Sequence, residues 1–349
     1  MSALDPAAVR RIALIRPRFL GDLCLTMPLL DAARAAAPSA QVAYVCERSL
    51  APLLQEDPRI DEVITVPSRP SLRDTASLIK SLRRFAPDLV LDCFCNPRTA
   101  IWSALSGART RVGYPNKGWR SALYTHHSKP RTLSASGFHL ASISALGWEP
   151  PTPVPTPRLH VSEAWRAEAR ASLDAMGVPP GARLVGFHAG ARWPTRRWAT
   201  ANFAALARHV LEAHEDAAIV LTAGPGEAAM AREVLDALPS GRVWLVRDWP
   251  LTRFVALQSL CAAFVCGDTG PVHTSAATGT PTLGLMSRNR PAMFFPYPES
   301  EGHRAYSARV ECSPCHRDEC DDLRCLHRMT PDGAWRILSA MLAAPRRLG

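Results

Sequence analysis

Short apolar runs alternate with longer segments of helical period twice along this chain, and few folds accommodate that rhythm. In the first half the runs fall at residues 12–16, 42–46, 63–66, 89–93 and 111–113, with helical spacing over 21–37, 72–85 and 99–105. In the second half the runs are 184–188, 218–221, 243–246, 263–266 and 282–285. Helical segments there cover 202–213, 227–238 and 251–261, with a further start near Thr269 and a last amphipathic stretch at 331–342. Continuous apolar runs suit strands buried on both faces, and β-α alternation predicts a parallel, doubly wound sheet. Between the halves stands Pro150-Pro-Thr-Pro-Val-Pro-Thr-Pro157. Its prolines can form neither a helix nor a central strand, so it marks the approach to a boundary. The expectation is two Rossmann-like α/β domains, 1–160 and 161–330, facing a cleft, followed by a final segment 331–349.

A length of 349 residues gives each half enough chain for its own core. The net charge is +10 and mostly arginine, which suits phosphates and carboxylates. Charge alone does not choose among nucleic acid, anionic lipid and a phosphorylated small molecule. No run approaches the ~18 apolar residues of a membrane span, and the first apolar run reads as a strand, not a signal peptide. A cytoplasmic protein is expected, with its 10 cysteines reduced, structural or metal-bound.

In doubly wound sheets ligands bind beyond the carboxyl ends of the strands, so the polar residues following each run are the candidates. Gly267-Asp-Thr-Gly-Pro-Val-His273 follows a strand and opens a helix, where free N–H groups and the helix dipole favour a phosphate. Thr269 adds a hydroxyl, Gly270 allows close approach, and His273 lies one turn on. Asp268 is negative, so it is expected to hold the loop or face a ribose. The same triplet occurs in aspartic proteases, but a single copy in a strand-to-helix context does not fit that class. In the loop from His188 to Trp198, Arg196 and Arg197 could neutralise a diphosphate. Glu227 could accept from ribose hydroxyls or simply favour its helix start. In Arg16-Pro-Arg-Phe-Leu-Gly-Asp22, Asp22 could act as a general base on a hydroxyl or cap the helix.

Together with Leu105-Ser-Gly-Ala-Arg-Thr-Arg-Val-Gly-Tyr114, these segments fall in one order over about residues 10–330. In that order the chain resembles glycosyltransferase family nine, the lipopolysaccharide heptosyltransferases. The resemblance implies a GT-B fold whose last helix packs back on the first domain. It implies inverting transfer of a heptose, or a related sugar, from an ADP-sugar donor to a lipopolysaccharide core hydroxyl. The acceptor is then a lipid-linked oligosaccharide at the membrane surface, with the enzyme peripheral at the inner face of the inner membrane. Asp22 matches the family's base, Thr269, Gly270 and His273 its diphosphate turn, and Glu227 its ribose-contacting acid. Arg196 stands where the family normally has lysine, which keeps the charge and changes the geometry. Arg48, Arg98 and Arg120 are assigned to the anionic acceptor. No Asp-x-Asp pair occurs, in keeping with catalysis that needs no cofactor.

Cys312, Cys315, Cys320 and Cys325 lie close enough in sequence to hold structural zinc or iron through thiolates. The other cysteines read as buried small residues, and His126-His127 as surface histidines. Two rival readings carry weight. Gly224-Pro-Gly-Glu-Ala-Ala229 fits the dinucleotide fingerprint of an NAD(P)-dependent oxidoreductase, although it does not follow the first strand of its half. Nucleic-acid binding through the basic charge and the cysteine segment lacks interleaved aromatics and a following recognition helix.

Overall fold

The computed structural model describes residues 3–344 apart from Asn116, Leu133, Ser240 and His316. The chain forms two compact units, Met1–His160 and Val161–Gly349. The first contains β1 (Arg11–Ile15), β2 (Gln41–Glu47), β3 (Glu62–Val66), β4 (Leu89–Asp92), β5 (Thr110–Gly113) and β6 (His126–His127). The second contains β7 (Arg183–His188), β8 (Ala217–Ala223), β9 (Val243–Arg247), β10 (Ala263–Gly267), β11 (Thr282–Leu285) and β12 (Arg304–Tyr306). All pairings are parallel. The spatial orders are β3-β2-β1-β4-β5-β6 and β12-β11-β10-β7-β8-β9. Read from its first strand outward, each is the same Rossmann winding, with its reversal between first and fourth strands.

Helices cover both faces of each sheet, and the alternation of side chains along a strand divides the core. In the second unit Val185 and Phe187 face one layer with Phe203, Leu206 and Val210 of helix Thr200–Ala213. Leu184 and Phe264 face the other, with Leu173 of helix Glu163–Ala175 and Leu257 of helix Leu251–Leu260. In the first unit Ala13, Ile15, Val45 and Val90 pack against Leu78, Leu82 and Phe85 of helix Leu72–Phe85. Each such valine, leucine, isoleucine or phenylalanine contributes about 1.5–3 kcal/mol on burial.

Several local expectations change. The helix expected over 21–37 is two helices, Leu20–Leu25 and Met27–Ala36, divided at Thr26. Pro28 has no N–H to continue the first helix, and the Thr26 hydroxyl turns back to the Leu23 carbonyl at 2.7 Å. His126 and His127 are half-buried and form an edge strand beside β5. The last helix, Pro331–Ala343, was expected on the first domain. Instead its Ala334, Leu338, Met341 and Leu342 belong to the core of the second unit, in the same layer as Val185 and Phe187. The remainder of the expected 331–349 segment, past residue 344, lies outside the described residues. Cys24, Cys46, Cys93, Cys95, Cys261 and Cys266 are buried, free thiols.

Candidate active site

At the reversal of the first sheet, the segments after β1 and β4 lie side by side. Asp22, in the first turn of its helix, accepts from the Phe19 backbone N–H at 3.1 Å, so it does cap the helix. Its other oxygen pairs with Arg16 at 2.6 Å. Arg16 is buried, donates to the Cys93 carbonyl at 2.5 Å and lies over the Phe94 ring at 5.0 Å. Burial raises the Asp22 carboxyl, but the Arg16 guanidinium and the Phe19 N–H outweigh it and hold the group below the usual carboxylate range. The first unit therefore presents a half-buried, ionised carboxylate at a strand's carboxyl end. Nearby, burial and Arg16 push His139 down to about 3, and its neutral ring bonds the Tyr114 hydroxyl at 2.7 Å.

The segment after β4 is shaped by Asp92, whose carboxylate takes the N–H groups of Phe94 and Cys95 at 2.9 Å and the Tyr124 hydroxyl at 2.7 Å. Arg120 anchors to this segment through the Cys95 carbonyl at 3.0 Å. Arg98 is exposed in helix Pro97–Leu105 after β4, and Arg48 is exposed just beyond β2. All three follow strands of one parallel sheet and so lie toward its carboxyl edge, but only Arg120 is fastened beside Arg16 and Phe94. Sequence reasoning missed Arg16, Asp92 and His139, whose partners Cys93, Tyr124 and Tyr114 are distant in sequence.

At the reversal of the second sheet, the loops after β7 and β10 meet. Arg196 donates to the Asp268 carbonyl at 2.7 Å, with the Asp268 carboxylate 3.7 Å away. Asp268 is buried and also accepts from Asn289, which follows β11. Its charge is spent inside the loop. Thr269 stands at the N-cap position of helix Gly270–Ala277 with extended backbone, but its side chain makes no capping bond; its hydroxyl donates to the Gly267 carbonyl at 3.3 Å. A side chain at Gly267 would meet the Arg196 carbonyl at 2.7 Å, so the glycine permits the two loops to touch. His273 is buried and bonded to the Tyr297 hydroxyl at 3.1 Å. Arg197 is exposed and folds onto its own loop, donating to the Ala191 and Arg192 carbonyls at 2.7 and 3.1 Å.

Glu227 follows β8. Its Oε2 accepts from the Gly224 N–H at 2.9 Å and lies 3.1 Å from His188 Nε2. Partial burial raises this carboxyl, but the His188 hydrogen bond and charge, then Gly224 and Arg197, hold it below the ordinary range. The glycines of the Gly224-Pro-Gly-Glu-Ala-Ala229 run thus form a turn around a carboxylate.

Among the cysteines expected to bind metal, Cys312 is exposed and Cys315, Cys320 and Cys325 are half-buried. Partial burial, then the Cys315 and Cys312 thiols, push the Cys325 thiol up. Among the described residues, no three His, Cys, Asp or Glu side chains converge on one point. The segment is fastened to the arginine loop, where Thr195 donates to the Arg317 carbonyl at 2.9 Å, and to the segment after β11, where the Arg288 carbonyl accepts from the Cys315 N–H at 3.1 Å. Among the described residues no helix is long and apolar enough to cross a membrane.

Residues 75–325 match the model of glycosyltransferase family 9 (heptosyltransferase). The chain belongs to this family and is a glycosyltransferase. It is 25% identical to lipopolysaccharide heptosyltransferase 1 of Pseudomonas aeruginosa, over 97% of this chain and 99% of that one. Its fold is that of a family 9 glycosyltransferase from Veillonella parvula, with a TM-score of 0.83, 21% identity, and coverage of 97% of this chain and 99% of that one. It is also that of the Escherichia coli ADP-heptose lipopolysaccharide heptosyltransferase II, with a TM-score of 0.79, 21% identity, and coverage of 95% and 98%. The expected GT-B class with two Rossmann-like sheets is therefore the observed one. The oxidoreductase reading finds no support in these matches.

The Arg16–Asp22 pair makes a direct prediction. In carbon-13 NMR of the labelled chain, the Asp22 carboxyl should titrate below the ordinary carboxylate range, and Arg16→Met should move its midpoint upward. Because the folded-state value is lowered, the pair's stabilisation is present above the unfolded value and lost as pH falls through the folded one. The stability gap between wild type and Arg16→Met should narrow over that same acidic window, measured by thermal unfolding at each pH, leaving the part due to the Cys93 carbonyl bond.

Proposed function

We propose that this glycosyltransferase moves a heptose, or a related sugar, from an ADP-sugar to a hydroxyl of a lipopolysaccharide core acceptor, with inversion at the transferred carbon. The observation that carries the reading is the chemistry found at the winding reversal of each sheet: an ionised carboxylate in one unit, and an arginine beside a helix start without a side-chain cap in the other. In this reading Asp22 takes the proton of the acceptor hydroxyl as its oxygen bonds to the sugar carbon. The bond from that carbon to the diphosphate breaks, and ADP leaves. Asp22 is a weak base in water, and Arg16 weakens it further. It remains competent because the hydroxyl proton becomes acidic only as the new C–O bond forms.

The departing charge is met by Arg196, by Thr269 and by the helix start at Gly270. His273 braces this turn from within its helix, and Arg197 adds positive charge while stiffening its own loop. Asp268 holds Arg196 and Asn289 in place, and Glu227 receives the ribose. The lysine-to-arginine change at position 196 fits this arrangement, since the planar fork can serve the Asp268 carbonyl and a phosphate together. Arg48, Arg98 and Arg120 face an anionic core saccharide. A lipid-linked acceptor places the enzyme at the inner surface of the inner membrane, and the +10 charge favours that surface. The names of the Pseudomonas and Escherichia relatives support the donor and acceptor classes.

Incubation with ADP-heptose and truncated core acceptors, followed by mass analysis, should show one added heptose. Products formed only from another donor or acceptor class would overturn the assignment. Asp22→Asn should lower kcat by at least about a hundredfold with ADP affinity nearly unchanged, while Arg196→Ala should weaken ADP binding about tenfold or more. Normal turnover in the first, or normal ADP affinity in the second, removes that residue from its role.

We also propose that Cys312, Cys315, Cys320 and Cys325, which lie close in sequence, draw together on structural zinc or iron, since thiolates form a soft donor set suited to either. Elemental analysis of the purified chain should find about one such ion per molecule, lost in Cys315→Ser. Metal-free protein of unchanged stability would refute this.

A further inference from the structure

Beneath the ribose-contacting carboxylate lies a buried histidine for which the reaction as described has no use. His188 ends β7 and is 4% exposed. Its Nδ1 lies 3.0 Å from the Thr222 hydroxyl, and its Nε2 lies 3.1 Å from Glu227 Oε2. The Phe254 ring flanks it at 6.2 Å. Thr222 is the middle of a relay, because its hydroxyl also reaches the Phe187 carbonyl at 3.1 Å.

Hydrogen counting fixes what His188 offers. An ionised carboxylate only accepts, so a bare Nε2 facing Glu227 would be repulsive. If the Thr222 proton goes to Phe187, Nδ1 must donate and the ring carries both protons. If the hydroxyl turns to Nδ1, the single ring proton sits on Nε2. In either arrangement Nε2–H points at Glu227. Both protein donors, His188 Nε2 and the Gly224 N–H, reach the same oxygen, Oε2. That leaves Oε1 to a ligand. Gly190 makes room for the carboxylate, since a Cβ there would stand 2.2 Å from Glu227 Cδ.

We infer that His188 is a positioning residue for donor selectivity: it pins one oxygen of Glu227 so that the other is presented, fixed and charged, to a vicinal diol. The selected ligand class is the ribonucleoside diphosphate, against its deoxy counterparts. This rests on the proposed ribose role of Glu227, which supplies the contact but not the reason it would be rigid. Without the pin, Glu227 keeps one backbone donor and can rotate, and its contact with a sugar hydroxyl is no longer enforced.

The test uses calorimetry on the full chain with ADP, 2′-deoxy-ADP and 3′-deoxy-ADP. Wild type should bind ADP about tenfold more tightly than at least one deoxy analogue, as loss of a hydrogen bond to a charged group requires. His188→Ala should reduce that ratio to about twofold or less, raising KM for the donor with kcat within about threefold. His188→Gln, which keeps an N–H near the Nε2 position, should recover much of the ratio. The affinity ratio within one variant is insensitive to a partial loss of folded protein, so a structural defect alone would leave it intact. If wild type does not distinguish the three nucleotides, the ribose role of Glu227 fails and this inference with it. If wild type distinguishes them and His188→Ala does so equally well, the ribose role stands and the inference falls.

Discussion

Where β1 lies beside β4, and β7 beside β10, the chain leaves neighbouring parallel strands toward opposite sides of the sheet. The connections diverge there and a crevice must open at the carboxyl edge, because no helix can cover both departing segments. Everything proposed for catalysis follows from that geometry. Asp22 and the Asp92–Cys95 turn stand at the first crevice, and Arg196 and the Asp268–Gly270 turn at the second. The strands contribute mainly apolar packing, so the polar chemistry concentrates in a few loop residues whose position the winding dictates.

Those loops are held by arginines bonded to main-chain carbonyls more than by carboxylate pairs. Arg16 reaches Cys93, Arg120 reaches Cys95, Arg196 reaches Asp268 and Arg197 reaches Ala191. A guanidinium has more donors than one carbonyl uses, so each can fix a loop and still offer hydrogen to an anion. Such preorganisation avoids the reorganisation a water-filled site would need when charge develops.

The sheet architecture was legible because a doubly covered strand must be apolar along its whole length, and ten such runs stand out. The two short edge strands were not. His126–His127 and Arg304–Tyr306 carry no apolar run, and only pairing with β5 and β11 makes them strands. The docking of the last helix on the first domain was taken from the resemblance, since its own amphipathic pattern says that it packs, not where. At the candidate site, loop positions after strands pointed to Asp22, Glu227, Arg196 and the Asp268–Gly270 turn as candidates. The same reasoning missed Arg16 and His188, since their partners Cys93 and Glu227 come from other strands' loops. It also read Arg197 as a phosphate ligand without seeing that its guanidinium already folds onto carbonyls of its own loop.

Gly190 and Gly267 have a consequence for how such a site can diversify. Each sits where any side chain would collide with Glu227 or with the Arg196 backbone. The floor of the second crevice is therefore main chain packed against main chain and carboxylate, with no spare volume. Variation that keeps the fold must enter from the rim, through residues such as Arg192 and Trp193.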